Sequence, residues 1–229
     1  MSDDRLLDTS RRLAASLSAG DLEHTLRQIT TAATEVLPGV HHASITIRHH
    51  DGRLETAAPT DDMLLGLDAA QYELQEGPCY DAATDAMYVA SPHLATDERF
   101  SRYAAVAVHA GVKAQAGIRL FDTPKPSARG ALNLYSRNVG SFADISVVGQ
   151  LFAHQSAVAL DYARELDNLR EAVKARQAVG RAVGIVMERY QLSEQRAFAF
   201  LARLSQTRNI KLRVVADELV TDAEERIQA

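Results

Sequence analysis

Across 229 residues the chain has one cysteine, six prolines and twelve glycines. No apolar stretch approaches the roughly 18 residues that cross a bilayer. The lone Cys79 excludes an intramolecular disulfide. With a start of Met-Ser-Asp-Asp-Arg, acidic where a secretory leader is basic, it points to a soluble, cytoplasmic protein with no membrane association. Positive charge is also short: 25 Lys+Arg stand against 30 Asp+Glu, a formal net charge of -5. That balance argues against a polycation that grips phosphate backbones indiscriminately. Signatures of catalysis are missing too. There is no P-loop, HExxH or GxG spacing, so no catalytic residue, metal ligand or cofactor is assigned. His41-His42 and His49-His50 flank a strand-like segment that puts the pairs about 26 Å apart at about 3.3 Å per residue, too far for one metal ion. His109 has no second feature to support a haem, and Cys79 is expected to be buried and inert.

Proline runs out at Pro126, and beyond Gly149 only Gly180 and Gly184 remain. Loss of both breakers marks a passage from mixed structure to nearly continuous helix, with a boundary between about Ser141 and Leu169. Before it, Leu6, Leu13 and Leu17 suggest an N-terminal helix over residues 1–20. Asp21 is placed to cap a second helix through Leu22, Leu26, Ile29 and Val36, which Pro38 and Gly39 end. Ala43, Ile45 and Ile47 alternate with polar residues, and His50-Asp51-Gly52 turns the chain toward Leu54. Residues 112–120 and 130–135 read as further strands around a Pro/Ser turn at 124–127. The expected fold class is α+β: an antiparallel sheet with flanking helices, followed by an all-α region.

The order of helix, hairpin, Gly77-Pro78-Cys79, a helix near Arg99 to His109, Gly111-Val112 and Gly130-Ala131-Leu132-Asn133-Leu134-Tyr135-Ser136 resembles a GAF domain over residues 21–162. The resemblance implies a sensor for a small-molecule or protein signal, with a pocket between sheet and covering loops. It does not name the ligand.

From Ile145 the apolar residues follow a seven-residue repeat. Ile145, Phe152, Leu166 and Val173 fall at one core position, and Val148, Tyr162 and Leu169 at the other. These seven residues define a connector helix over 141–175 and, read as a parallel coiled coil, a homodimer. The alternative is that its first half packs on the sheet as the last helix of the sensor.

The remaining chain reads as helices divided at Ser193 and Asn209, each a candidate N-cap. Ala197, Phe198, Leu201 and Leu204 form the inward face of the middle helix. Here the charge separates: residues 170–215 hold ten bases and three acids, a local charge of +7. Arg170, Lys174 and Arg181 share one helical face, and Arg196 and Arg203 share another, at about 100° per residue. Lys211 and Arg213 open the last helix, where backbone N–H groups already favour an anion.

The run Arg176-Gln177-Ala178-Val179-Gly180-Arg181-Ala182-Val183-Gly184-Ile185-Val186-Met187-Glu188-Arg189-Tyr190, with Ser193, Ala197-Phe198, Leu201, Ser205, Asn209, Lys211-Leu212 and Val215-Ala216, resembles an ANTAR domain over residues 166–225. Val183 stands where that family often has a lysine. The resemblance implies binding to nascent RNA, double-hairpin leader transcripts whose loops present unstacked bases, and hence transcription antitermination. The residues expected to touch RNA are Arg176, Arg181, Arg203, Arg208, Lys211 and Arg213 on the backbone and Tyr190 against a base. The competing expectation is a ligand-sensing dimer whose helical tail docks a partner protein without RNA.

Overall fold

In the computed structural model, residues 21–124, 127–143 and 145–228 are described; the expected helix over 1–20 lies outside them. The chain divides into two units, residues 1–164 and 165–229.

In the first unit, Asp21 caps α1 (Leu22–Val36), its carboxylate accepting the His24 amide at 2.7 Å. Leu26 and Ile29 face inward, and the helix ends before Pro38 and Gly39, which has φ of 77°. The hairpin follows as β1 (His42–Arg48) and β2 (Leu54–Ala57). Three helices come in the next stretch, α2 (Met63–Leu74), α3 (Pro78–Thr84) and α4 (Ser101–His109), with β3 (Tyr88–Ser91) between the last two. The long strands β4 (Ala114–Pro124) and β5 (Ser127–Ser136) complete a sheet of order β2-β1-β5-β4-β3, antiparallel throughout.

Both faces of this sheet are covered. Ala43, Ile45, Ala116, Leu132 and Leu134 point to one side and pack with α1 and with the start of the long helix α5 (Ser146–Tyr190). Burying each Leu or Ile there contributes about 1.5–3 kcal/mol. The alternate positions, Ser44, Thr46, Gln115, Asn133 and Tyr135, are equally buried under α2, α3 and α4. Gly117 permits the close approach of α3: an added Cβ would overlap the Pro78 carbonyl oxygen.

Helix α5 belongs to both units. Ile145, Val148 and Phe152, assigned above to a dimer seam, are buried in the sheet core, so this part of the helix follows the alternative of a last sensor helix. Tyr162, Leu169 and Val173 are exposed and Leu166 is half-buried. The large apolar residues exposed on α5 are Val147, Leu151, Val158, Tyr162, Leu169 and Val173, with Tyr190 at its end. The six from Val147 to Val173 alternate spacings of four and seven and so repeat every eleven residues.

In the second unit the end of α5 packs with α6 (Glu194–Arg208) and α7 (Leu212–Gln228). Small residues let the helices meet: Ala178, Ala182 and Val186 from α5 lie against Ala197 and Leu201 of α6 and Val215, Ala216 and Val220 of α7. Ser193 is the N-cap of α6 but makes no side-chain capping bond. Asn209 is not an N-cap. It ends α6 in the left-handed conformation, φ 51°, a role asparagine tolerates better than most residues.

Candidate nucleic-acid interface

The basic segment is less basic in space than along the chain. Residues 165–229 hold eleven bases and ten acids, and α7 turns its acids toward the arginines. Arg181 lies 3.6 Å from Glu224, and Arg189 3.6 Å from Asp222. Arg208 donates to both oxygens of Glu218, at 2.5 and 3.1 Å. Arg213 donates to Glu171 and lies 3.7 Å from Asp217. The guanidinium of Arg213 and the ammonium of Lys174 hold the Glu171 carboxyl below its ordinary range, and Arg208 does the same to Glu218.

Four cations of the second unit remain without an ion pair among the described residues: Arg176, Arg196, Arg203 and Lys211. Three of these are residues expected from the sequence to touch RNA; Arg196 is added. Arg181, Arg208 and Arg213 are instead engaged by carboxylates.

Beside the free arginines stands an aromatic pair. Tyr190, 54% exposed, has its ring centroid 5.8 Å from that of Phe200, 42% exposed, the planes tilted by 41°. On α6, Phe200 is four residues after Arg196 and three before Arg203, so all three share a face. Exposed rings next to unpaired guanidiniums are the elements of a surface that stacks bases and holds their phosphates. Tyr190 was singled out from the sequence and Phe200 was not, although its spacing to two arginines was visible. Phe198, expected in the core, is 47% exposed; Ala197 and Leu201 already fill the narrow space that the small residues of α5 leave.

Residues 167–220 match the ANTAR domain family. Among solved structures, the GAF domain of a phosphoenolpyruvate-protein phosphotransferase from Coxiella burnetii is similar with a TM-score of 0.55 and 16% identity, over 73% of this chain and 99% of that one. The corresponding domain from Acinetobacter gives 0.53 and 16%, over 73% and 99%. A bacteriophytochrome from R. palustris gives 0.61 and 11%, over 81% of this chain and 43% of that one. No curated protein matches the chain. The chain joins a GAF-fold unit to an ANTAR domain. Among the described residues no helix is long and apolar enough to cross a membrane.

Within the GAF-fold unit the second face of the sheet carries a closed polar cluster. Asp68 accepts hydrogen bonds from Ser44 at 2.8 Å, from Thr56 at 3.0 Å and from Tyr135. Asn133 donates to Ser44 and Thr46, and Tyr72 bonds both Thr46 and Thr56. Burial pushes the Asp68 carboxyl up to about 6, against the pull of its three hydroxyl donors. Cys79 is fully buried, with Gln115 donating to its sulfur at 2.6 Å and Gln71 accepting its amide at 3.0 Å. Burial and the nearby Asp68 raise its thiol pKa strongly, which makes it an inert thiol.

Proposed function

We propose that this protein is a signal-responsive, cytoplasmic RNA-binding regulator that acts by transcription antitermination, its GAF-fold unit controlling the ANTAR output. The observation that carries this reading is the Tyr190–Phe200 pair flanked by the unpaired Arg196 and Arg203, two of these residues lying on one helix face with Phe200, inside the segment that matches the ANTAR family. Aromatic rings offer stacking to unpaired loop bases, and free cations gain the most from a phosphate because no carboxylate must leave first. Binding is tested by gel shift against double-hairpin leader RNAs. The Arg196→Ala/Arg203→Ala variant is expected to bind at least tenfold more weakly than wild type; equal binding sinks the assignment.

The working form is a homodimer. Its support is the exposed apolar series from Val147 to Val173 on α5, whose eleven-residue spacing suits a gently right-handed pairing of two helices. Two outputs on one dimer engage two hairpins with a gain in avidity that a monomer lacks. Sedimentation at micromolar concentration, comparing wild type with Leu151→Glu/Val158→Glu, tests it, with a monomeric wild type as the contrary result.

The exposed Phe198 favours a second reading, in which the helical tail docks a partner protein. Salt separates the two. RNA contacts weaken steeply as salt rises, whereas an apolar helix contact does not.

A further inference from the structure

Charge is spread unevenly along α5. Residues 161–190 carry eleven Asp, Glu, Lys and Arg, whereas residues 145–160 carry none. A helix face that meets water ordinarily holds charge, and a helix that is apolar all round belongs inside a core. One side of this segment has its core: Val148, Phe152 and Leu160 are buried against the sheet. The other side has none within the chain. Val147, Leu151 and Val158 are 58, 50 and 59% exposed, and no charged side chain interrupts them. The same face of a second copy is the cover that the dimer reading above supplies.

One ionisable group stands in the segment. His154 is exposed, three residues after Leu151 and four before Val158, so the three share a face. It makes no hydrogen bond or ion pair among the described residues. Next along α5 come Asp161 and Arg164, which lie 3.9 Å apart, and then Glu165. Of the elements packed on this part of α5, the sheet presents apolar side chains, Ala43, Ile45 and Leu132 among them. Helix α1 carries Glu23, His24, Arg27 and Glu35, of which Glu23 holds Arg27 at 2.5 Å. In a parallel pair the remaining group is the partner's His154, because a two-fold axis sets each residue against its own counterpart.

Histidine is the side chain whose charge changes between about pH 5 and 8. Neutral imidazoles are tolerated at the edge of an apolar seam. Protonated, they bring the only charges of this segment together where water is excluded, which costs desolvation and repulsion. Separated copies therefore take up protons more readily than the pair, and a falling pH favours separation.

We propose that α5 pairs with a second copy along this face with His154 against the partner's His154, and that protonation of this histidine releases the pair. Acidification is then the signal, and the separated copies lose the avidity of two outputs on one dimer. The proposal rests on the homodimer reading above and adds what undoes it.

The test is sedimentation of the full chain at about pH 7.5 and about pH 5.5, with folding checked at both by circular dichroism. The dimer dissociation constant of wild type is expected to rise at least tenfold, roughly, toward the acid end. His154→Leu is expected to dimerise equally well at both values. His154→Lys, charged at both, is expected to be weakened at both. If wild type and His154→Leu respond to pH alike, or if His154→Lys pairs as wild type does at about pH 7.5, the switch is overturned and the dimer stands. If wild type is monomeric at both values, both readings fall.

Discussion

Arg208 grips Glu218 through both terminal guanidinium nitrogens, at 2.5 and 3.1 Å, tying the end of α6 to α7. Both side chains are close to half exposed, where solvent screening leaves such a pair little to add to stability. The pair matters more for what it occupies: a cation on the surface assigned to RNA is already holding an anion. Glu224 and Asp222 do the same to Arg181 and Arg189.

Removing these acids should uncover the cations. The triple variant Glu218→Gln/Asp222→Asn/Glu224→Gln is expected to elute from heparin at higher salt than wild type and to bind leader RNA more tightly, with a steeper dependence of log affinity on log salt. Heparin reads the masking independently of any specific RNA. Identical elution of variant and wild type would show that the carboxylates do not limit access to the arginines.

Asp68 makes the stability of the first unit depend on pH. Its carboxyl is raised to about 6 in the folded protein, against about 4 in an unfolded chain. Between those values the folded state holds a proton that the unfolded state has lost, so this group's contribution to stability is fully present below about pH 4 and declines as pH rises through about 6. Thermal unfolding at a series of pH values should show Asp68→Asn with a flatter profile across that window than wild type. Parallel profiles for the two proteins would contradict it.

Cys79 should resist thiol reagents in the native state. Its sulfur is fully buried and bonded by Gln115. A colorimetric disulfide reagent is expected to label it at the rate of unfolding and to label it promptly in denaturant. Rapid labelling of the native protein would mean that α3 opens readily from the sheet.

What could be read from the sequence divides along physical lines. Local signals were legible: the Asp21 cap, the Asp51-Gly52 hairpin, and the loss of proline before α5. The polar positions of β1 were not, because Ser44 and Thr46 alternate with Ala43 and Ile45 just as they would on a solvated face. Only the helices laid over them bury both. Strand β3, four residues long, carries too short a pattern to stand out. Asn209 has side-chain chemistry that suits either end of a helix, and the structure uses it at the C-terminal one. The basic segment was legible as composition, but its free cations were not. The acids that neutralise Arg181, Arg189 and Arg208 lie more than 9 residues away in sequence, on a helix whose packing decides which arginine each one meets.

Glycine substitutions should separate the two kinds of close approach in the chain. At Gly117 a Cβ would overlap backbone, the Pro78 carbonyl, and the side chain of Ala82. Neither can rotate away, so Gly117→Ala should cost about 1–3 kcal/mol, in the range of overpacked cores. At Gly180, exposed in α5, a Cβ would meet nothing within 4 Å. Gly180→Ala should therefore stabilise the helix by about 1 kcal/mol, the difference in helix propensity. Denaturant unfolding of the full chain, followed by far-ultraviolet circular dichroism, reads both changes. Destabilisation by Gly180→Ala would reveal a contact at that position that the isolated chain lacks, and the apolar series on the same helix makes a second copy the first place to look.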